Sequence, residues 1–339
     1  MNQVMTAAIL IEDLFSQPSA TNKSRATFNL CDTLAILQCQ GEDAATFLQG
    51  QLTLDIGILE RSGAGLGQAL LTSCCNPQGR MIALFHLAKL DQNTFWIILP
   101  AEMVQILQSH LQKYIVFSKA NLSLLEQYAL CGIINASNSQ LMPHCGERYL
   151  FPLNDQDPRC FLQVFLKASL TSIGSSFSTT QPPIEIWQLY WLLQGIPWFD
   201  ERLSGQYLPN DLFLENHNGL SFTKGCYTGQ EPIARLHYRG KAKFALYRIS
   251  FIIEQPLILA NHEQVALFQL ADEAQAPSTP AQKIGSCLQL IERAPSKYFG
   301  LARIRIDHQV EQATFLHDLI TKVTIDPLFS ADSSQSPAV

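Results

Sequence analysis

The chain has 339 residues, of which 47% are hydrophobic and 15% charged, and its formal net charge is −6. That length is long for one core and fits two or three, and the apolar fraction excludes wholesale disorder. The acidic balance lacks the basic footprint of a duplex nucleic-acid binder, so no direct duplex partner is expected; the one local cluster of cations runs from Arg235 to Lys243.

In chain order, residues 1–25 read as a loose lead-in. They carry no basic region ahead of an apolar stretch, and nowhere does a run of about 18 apolar residues occur. Residues 34–39 read as a strand. Residues 43–52 read as a helix, with Glu42 and Asp43 in its first turn and Ala44, Phe47, Leu48 and Leu52 at helical spacing. Strands are predicted over 67–73 and 81–87, joined by the turn Asn76-Pro77-Gln78-Gly79. A third strand covers 94–99. Pro100-Ala101-Glu102 then opens a helix that includes Val104, Ile106, Leu107 and Leu111. This order predicts an α+β layer arrangement.

Residues 174–183, rich in Ser, Thr and Pro, read as a link. Residues 184–194 read as a helix, closed by Gly195 with Pro197 beyond. After Gly240 the texture changes to short β-type runs over 245–252, 264–270, 284–291 and 298–306, which predict a small β-barrel domain. The expected division is 26–240, with room for two interleaved subdomains about a link near 172–183, then a barrel over 241–329 and a disordered tail over 330–339. Nine cysteines, an odd number without C-x-x-C or another zinc spacing, fit the reduced thiols of a soluble cytoplasmic protein. A monomer is the default expectation, and no metal site is expected.

The least ordinary stretch is Lys224-Gly225-Cys226-Tyr227-Thr228-Gly229-Gln230-Glu231. Two glycines bracket a Cys-Tyr-Thr triplet, and glycine permits close backbone approach. Lys224 lies two residues before the thiol, and a nearby cation stabilises a thiolate, which makes Cys226 the candidate reactive group. Gln230 and Glu231 begin a helical or extended run that contains Arg235 and ends in Tyr238-Arg239-Gly240. On these residues alone, a glycine turn with a buried cysteine and ordinary surface charges fits equally well.

That stretch resembles the signature of the YgfZ family, relatives of the aminomethyltransferase of the glycine cleavage system. The resemblance extends, in order, to Phe47-Leu48-Gln49-Gly50-Gln51-Leu52-Thr53, Asn76-Pro77-Gln78-Gly79-Arg80-Met81, Lys113-Tyr114-Ile115-Val116-Phe117-Ser118-Lys119 and Gly195-Ile196-Pro197. It implies a GcvT-like folate-binding (aminomethyltransferase-like) fold, with tetrahydrofolate as cofactor. It also implies a role in the assembly or repair of iron–sulfur enzymes, including tRNA-modifying ones, as transient clients. The family's characteristic cysteine maps to Cys226. Expected at the folate are Trp187, eight residues ahead of Gly195, whose face suits stacking on a flat pterin, and Gln51, Lys224, Tyr227, Gln230, Glu231 and Arg235. Departures from the family pattern are Leu193, where Glu is common, Leu208-Pro209-Asn210, where Pro-Gln is usual, and Leu34, near the place of an aromatic in some relatives.

The aminomethyltransferases carry an acidic residue just after the turn at 76–80, where this chain has Ala83 and Leu84. Neither side chain serves as a general base. His86 lies nearby and reads as a satisfied or exposed strand-end histidine. Three functions stay open: a folate-dependent accessory protein using Cys226, a folate-dependent one-carbon (aminomethyl) transferase, and a non-enzymatic redox or scaffold module. Scattered cysteines, with Cys74-Cys75 adjacent, argue against a stably bound iron–sulfur cluster.

Overall fold

A computed structural model describes residues 27–61, 68–134, 148–152, 160–169, 186–240, 243–253, 265–270, 281–307, 314–316 and 321–328. The expected lead-in, the link at 174–183 and the tail lie outside the described residues. By their contacts the described residues form two units. One comprises those of Asp13–Gln181 with Phe199–Arg235, and the other those of Pro182–Trp198 with Leu236–Val339.

The first unit is built on two antiparallel sheets. The larger has five strands in the order β3 (Ala69–Cys75), β4 (Met81–Lys89), β5 (Thr94–Pro100), β2 (Leu34–Gln40), β6 (Asn121–Leu124). All seven residues of β5 are buried, and β4 is buried at every position but its second and last. Strands covered on both faces read as unbroken apolar runs rather than as alternation. Helices α1 (Ala44–Gln51), α2 (Gly57–Arg61) and α3 (Val104–Ile115) pack against this sheet. The smaller sheet runs β1 (Thr27–Leu30), β7 (Tyr128–Ile134), β9 (Cys160–Leu166), β8 (Arg148–Pro152), and the sequence reading did not foresee it. Trp96 of β5 joins the two sheets, with ring centroids 5.0 Å from Tyr128 and 6.5 Å from Phe151.

The start of α1 departs from expectation. Glu42 and Asp43 precede the helix, and Asp43 makes no side-chain cap bond. Their carboxylates are drawn to another partner: Asp43 accepts from the Lys119 backbone N–H at 2.8 Å, and Glu42 pairs with the Lys119 ammonium at 2.9 Å. They fasten the segment after α3 instead of serving the helix dipole.

The second unit holds helix α4 (Ile186–Gln194) and a closed barrel in the order β10 (Phe244–Ile252), β13 (Lys297–Arg305), β12 (Ala281–Ala294), β11 (Ala266–Leu270), β14 (Thr314–Leu316), β15 (Lys322–Pro327). Closure removes free sheet edges. Its core gathers Ile249, Leu267, Ile284, Ala302, Leu316 and Val323, with Phe251 stacked on Tyr298 at 5.4 Å. Gly195 ends α4 in the left-handed region at φ 80, and its N–H bonds Leu192 O at 3.0 Å.

Candidate functional site

Three separated stretches of the first unit converge. The first is the C-terminal end of α1. Its apolar face (Ala44, Phe47, Leu48) is buried, and the chain leaves the helix through Leu52, which bridges to Cys74 of β3. Thr53 then enters a buried hydroxyl cluster. Its Oγ1 donates to Gly219 O at 2.7 Å and lies 3.3 Å and 3.2 Å from the hydroxyls of Thr72 and Ser73.

The second stretch is the turn between β3 and β4. Asn76 N–H donates to Arg80 O, and Gly79 N–H to Asn76 O, both at 2.9 Å. The Asn76 side-chain carbonyl accepts from the Gln78 and Arg80 amides. The Arg80 guanidinium donates to Gln206 O.

The third is the irregular return segment from 199 to 229. Gly205 N–H donates to Met81 O and Met81 N–H to Tyr207 O, at 2.7 Å and 2.8 Å. Farther on, Ser221 N–H donates to Thr53 O at 2.9 Å and Thr228 N–H to Gly50 O at 3.0 Å. Between those two bonds lies Lys224. Its ammonium donates to the carbonyls of Gln49 and Leu52 at 2.7 Å and of Leu54 at 2.8 Å, and sits 5.0 Å from the Tyr227 ring centroid. Burial lowers the Lys224 pKa to about 8, while the Asp55 carboxylate acts to raise it.

Gly229 completes the junction. Its φ of +81 suits glycine, and a Cβ there would meet Asn76 O at 2.4 Å and Gly79 Cα at 2.9 Å. Gly79, at φ +76, faces it in turn. Helix α5 (Gln230–Arg239) begins immediately after. This settles the open choice for that run in favour of helix.

The expected site residues divide as follows. Cys226 is exposed, whereas Cys31, Cys39, Cys74, Cys75, Cys131 and Cys287 are buried. Tyr227 is buried, and both burial and the neighbouring Cys75 thiol push its phenol up. Its hydroxyl has no hydrogen-bond partner among the described residues. Gln51 accepts from the Thr228 hydroxyl at 3.3 Å. Gln230 and Glu231 form the first turn of α5, and Arg235 is exposed one turn on. The structure thus brings Gln51, Lys224, Cys226, Tyr227 and the start of α5 together in one unit. Trp187 is on α4, in the other unit, and its side chain lies outside the described residues.

Sequence reasoning missed Ser221 and Cys75 as supports, because neither carries a local pattern, and it missed the part of Thr53, although that residue closes a quoted motif. The contact between Gly79 and Gly229 had a signal in retrospect: both glycines fall in quoted motifs. Ala83 and Leu84 are buried on β4, and Ala83 pairs with Cys74. His86 is buried on the same strand rather than exposed at its end, and burial, with His217 adding to it, lowers its pKa to about 3.

No family model matches the chain. Among solved structures, aminomethyltransferase T of the glycine cleavage system from Bartonella henselae is similar in fold. Its TM-score is 0.61 at 12% identity, over 94% of this chain and 95% of that one. The tRNA-modifying protein YgfZ of Colwellia psychrerythraea is 29% identical over 234 residues, covering 65% of this chain and 70% of that protein. The tRNA-modifying protein YgfZ of Hamiltonella defensa is 30% identical over 261 residues, covering 70% of this chain and 75% of its own length. With that reach across both sequences, and an aminomethyltransferase-like fold beneath it, the chain belongs to the YgfZ family.

Proposed function

We propose that this protein is a tetrahydrofolate-binding accessory factor. In this reading it supports the assembly or repair of iron–sulfur enzymes, including tRNA-modifying ones, with Cys226 as its functional thiol. The observation that carries the reading is the setting of Cys226. Among the described cysteines it alone is exposed, on a segment hydrogen-bonded to the end of α1 on either side of it. A thiol must be accessible to act as a nucleophile or ligand. By contrast, burial pushes Cys39 and Cys75 up to about 12, and neither is accessible.

The residues present fit a folate in one specific respect. The Tyr227 hydroxyl is buried without a described partner, and a bound heterocycle with a polar edge satisfies such a group. Gln51, Gln230, Glu231 and Arg235 stand on the elements around it. The cofactor supplies a reduced pterin and a carrier for one-carbon units. The buried Ala83 and Leu84 weigh against an aminomethyl transferase, since neither side chain can take up a proton from an attacking nitrogen.

Calorimetric titration of the full chain with tetrahydrofolate tests the cofactor half of the reading. Saturable binding that weakens about tenfold or more in Tyr227→Phe is expected for a buried hydroxyl bonded to the ligand. Absence of binding would remove folate from the proposal.

A further inference from the structure

We infer that Lys224 is a positioning residue of this site: its ammonium ties the Cys226 segment to the C-terminal end of α1 and contacts neither an anionic ligand nor the thiol. This inference rests on the reading of Cys226 as the functional group and adds how that group is held.

A lysine ammonium has three N–H donors and no acceptor. All three directions are taken by Gln49 O, Leu52 O and Leu54 O, at 2.7, 2.7 and 2.8 Å. The residue is 8% exposed, so an incoming anion would have to break one of these bonds in a buried place. The arrangement also answers a need of α1. The last carbonyls of a helix have no intrahelical donor, and the dipole favours a cation there. Helix α1 has no basic residue in its last turn. Lys224 supplies that cation from a distant part of the chain.

The clamp is local to Cys226. Lys224 N–H is held by Ser221 Oγ at 3.2 Å, and Ser221 N–H by Thr53 O at 2.9 Å. Two residues beyond the thiol, Thr228 is held by Gly50 O and Gln51 Oε1. Cys226 therefore stands midway between two anchors, both on the same end of α1. An arginine cannot take over the role. Its planar fork aims donors outward in one plane, whereas these carbonyls converge on a point.

The test needs no knowledge of the client. In the parent protein, brief acetylation with an N-hydroxysuccinimide ester should modify the exposed Lys113 and Lys283 while Lys224 reacts about a hundredfold more slowly, at the rate of local opening. In Lys224→Met and Lys224→Arg, the amides of Lys224 and Thr228 should exchange hydrogen about tenfold faster or more, with the barrel amides unchanged. Acetylation of Lys224 as fast as Lys113 would overturn the inference, and it can be read even if neither variant folds. Unchanged exchange in the Arg variant would overturn it too. Failure of folate binding or of a Cys226 requirement leaves both readouts intact, so the two proposals fail separately.

Discussion

At the residue scale, the signature lysine takes a role other than the one that its spacing from the cysteine implies. A cation two positions before a thiol invites the reading that one activates the other. The structure directs the Lys224 ammonium to three carbonyls. Removing it leaves buried acceptors without donors, at about 1–3 kcal/mol each. Lys224→Met should therefore lower unfolding free energy by about 2 kcal/mol or more, measured by urea denaturation of the full chain. A loss under half of that would show that the carbonyls find other donors. Cys226 offers a second check. Peptide mapping after limited alkylation should find it modified well before Cys31, Cys39, Cys74, Cys75, Cys131 or Cys287, all buried.

At the scale of elements, the junction of the β3–β4 turn with the start of α5 is the tightest point of the site. Gly229→Ala sets a Cβ 2.4 Å from Asn76 O at a φ of +81. Left-handed backbone alone costs a side-chain-bearing residue about 1–2 kcal/mol, so this variant should lose more than that in thermal or urea unfolding. A silent Gly229→Ala would mean that the turn and the signature segment are not in contact. Within the core, Trp96 is 2% exposed and links the two sheets of the first unit. Trp96→Ala should cost about 3–5 kcal/mol.

The elements also show what a single sequence discloses. Strands β2 to β5, α1, α3 and α4 announce themselves through apolar spacing and through Asn76-Pro77-Gln78-Gly79, Pro100 and Gly195, all local devices. The smaller sheet does not. Its strands β7 and β9 are short apolar runs that periodicity cannot assign, and Thr27 pairs with Ile134, far along the chain. The return segment from 199 to 229 holds its path by particular bonds to Met81, Ile82, Thr53 and Gly50, which leave no spacing to read. Likewise Cys226 and Lys224 were legible as a motif, but the direction of the lysine side chain depends on carbonyls distant in sequence.

At the scale of the whole molecule, acid stability follows from two histidines of the first unit. Burial lowers His86 to about 3, with His217 contributing, and burial lowers His217 to about 4. Both are neutral in the folded protein near neutral pH. Unfolded, each takes a proton around the ordinary value of 6.5. The unfolded state thus binds more protons below that pH. The stabilisation is complete above about 6.5 and is lost as pH falls toward 4 and then 3. Unfolding free energy measured from pH 7.5 to 4.5 should fall with a slope of about 1 kcal/mol per pH unit or more, and His86→Gln should flatten it. A slope unchanged in that variant would assign the acid sensitivity to other groups.

The central claim is that this YgfZ-family chain acts through the thiol of Cys226. The direct measurement is complementation in a bacterium that lacks its own YgfZ relative, read as the level of a nucleoside made by an iron–sulfur tRNA-modifying enzyme. Because Cys226 is exposed, Cys226→Ser should fold with the parent's melting temperature. The account predicts that the parent restores the modified nucleoside and that Cys226→Ser, equally folded and equally abundant, does not. Full restoration by Cys226→Ser would contradict it.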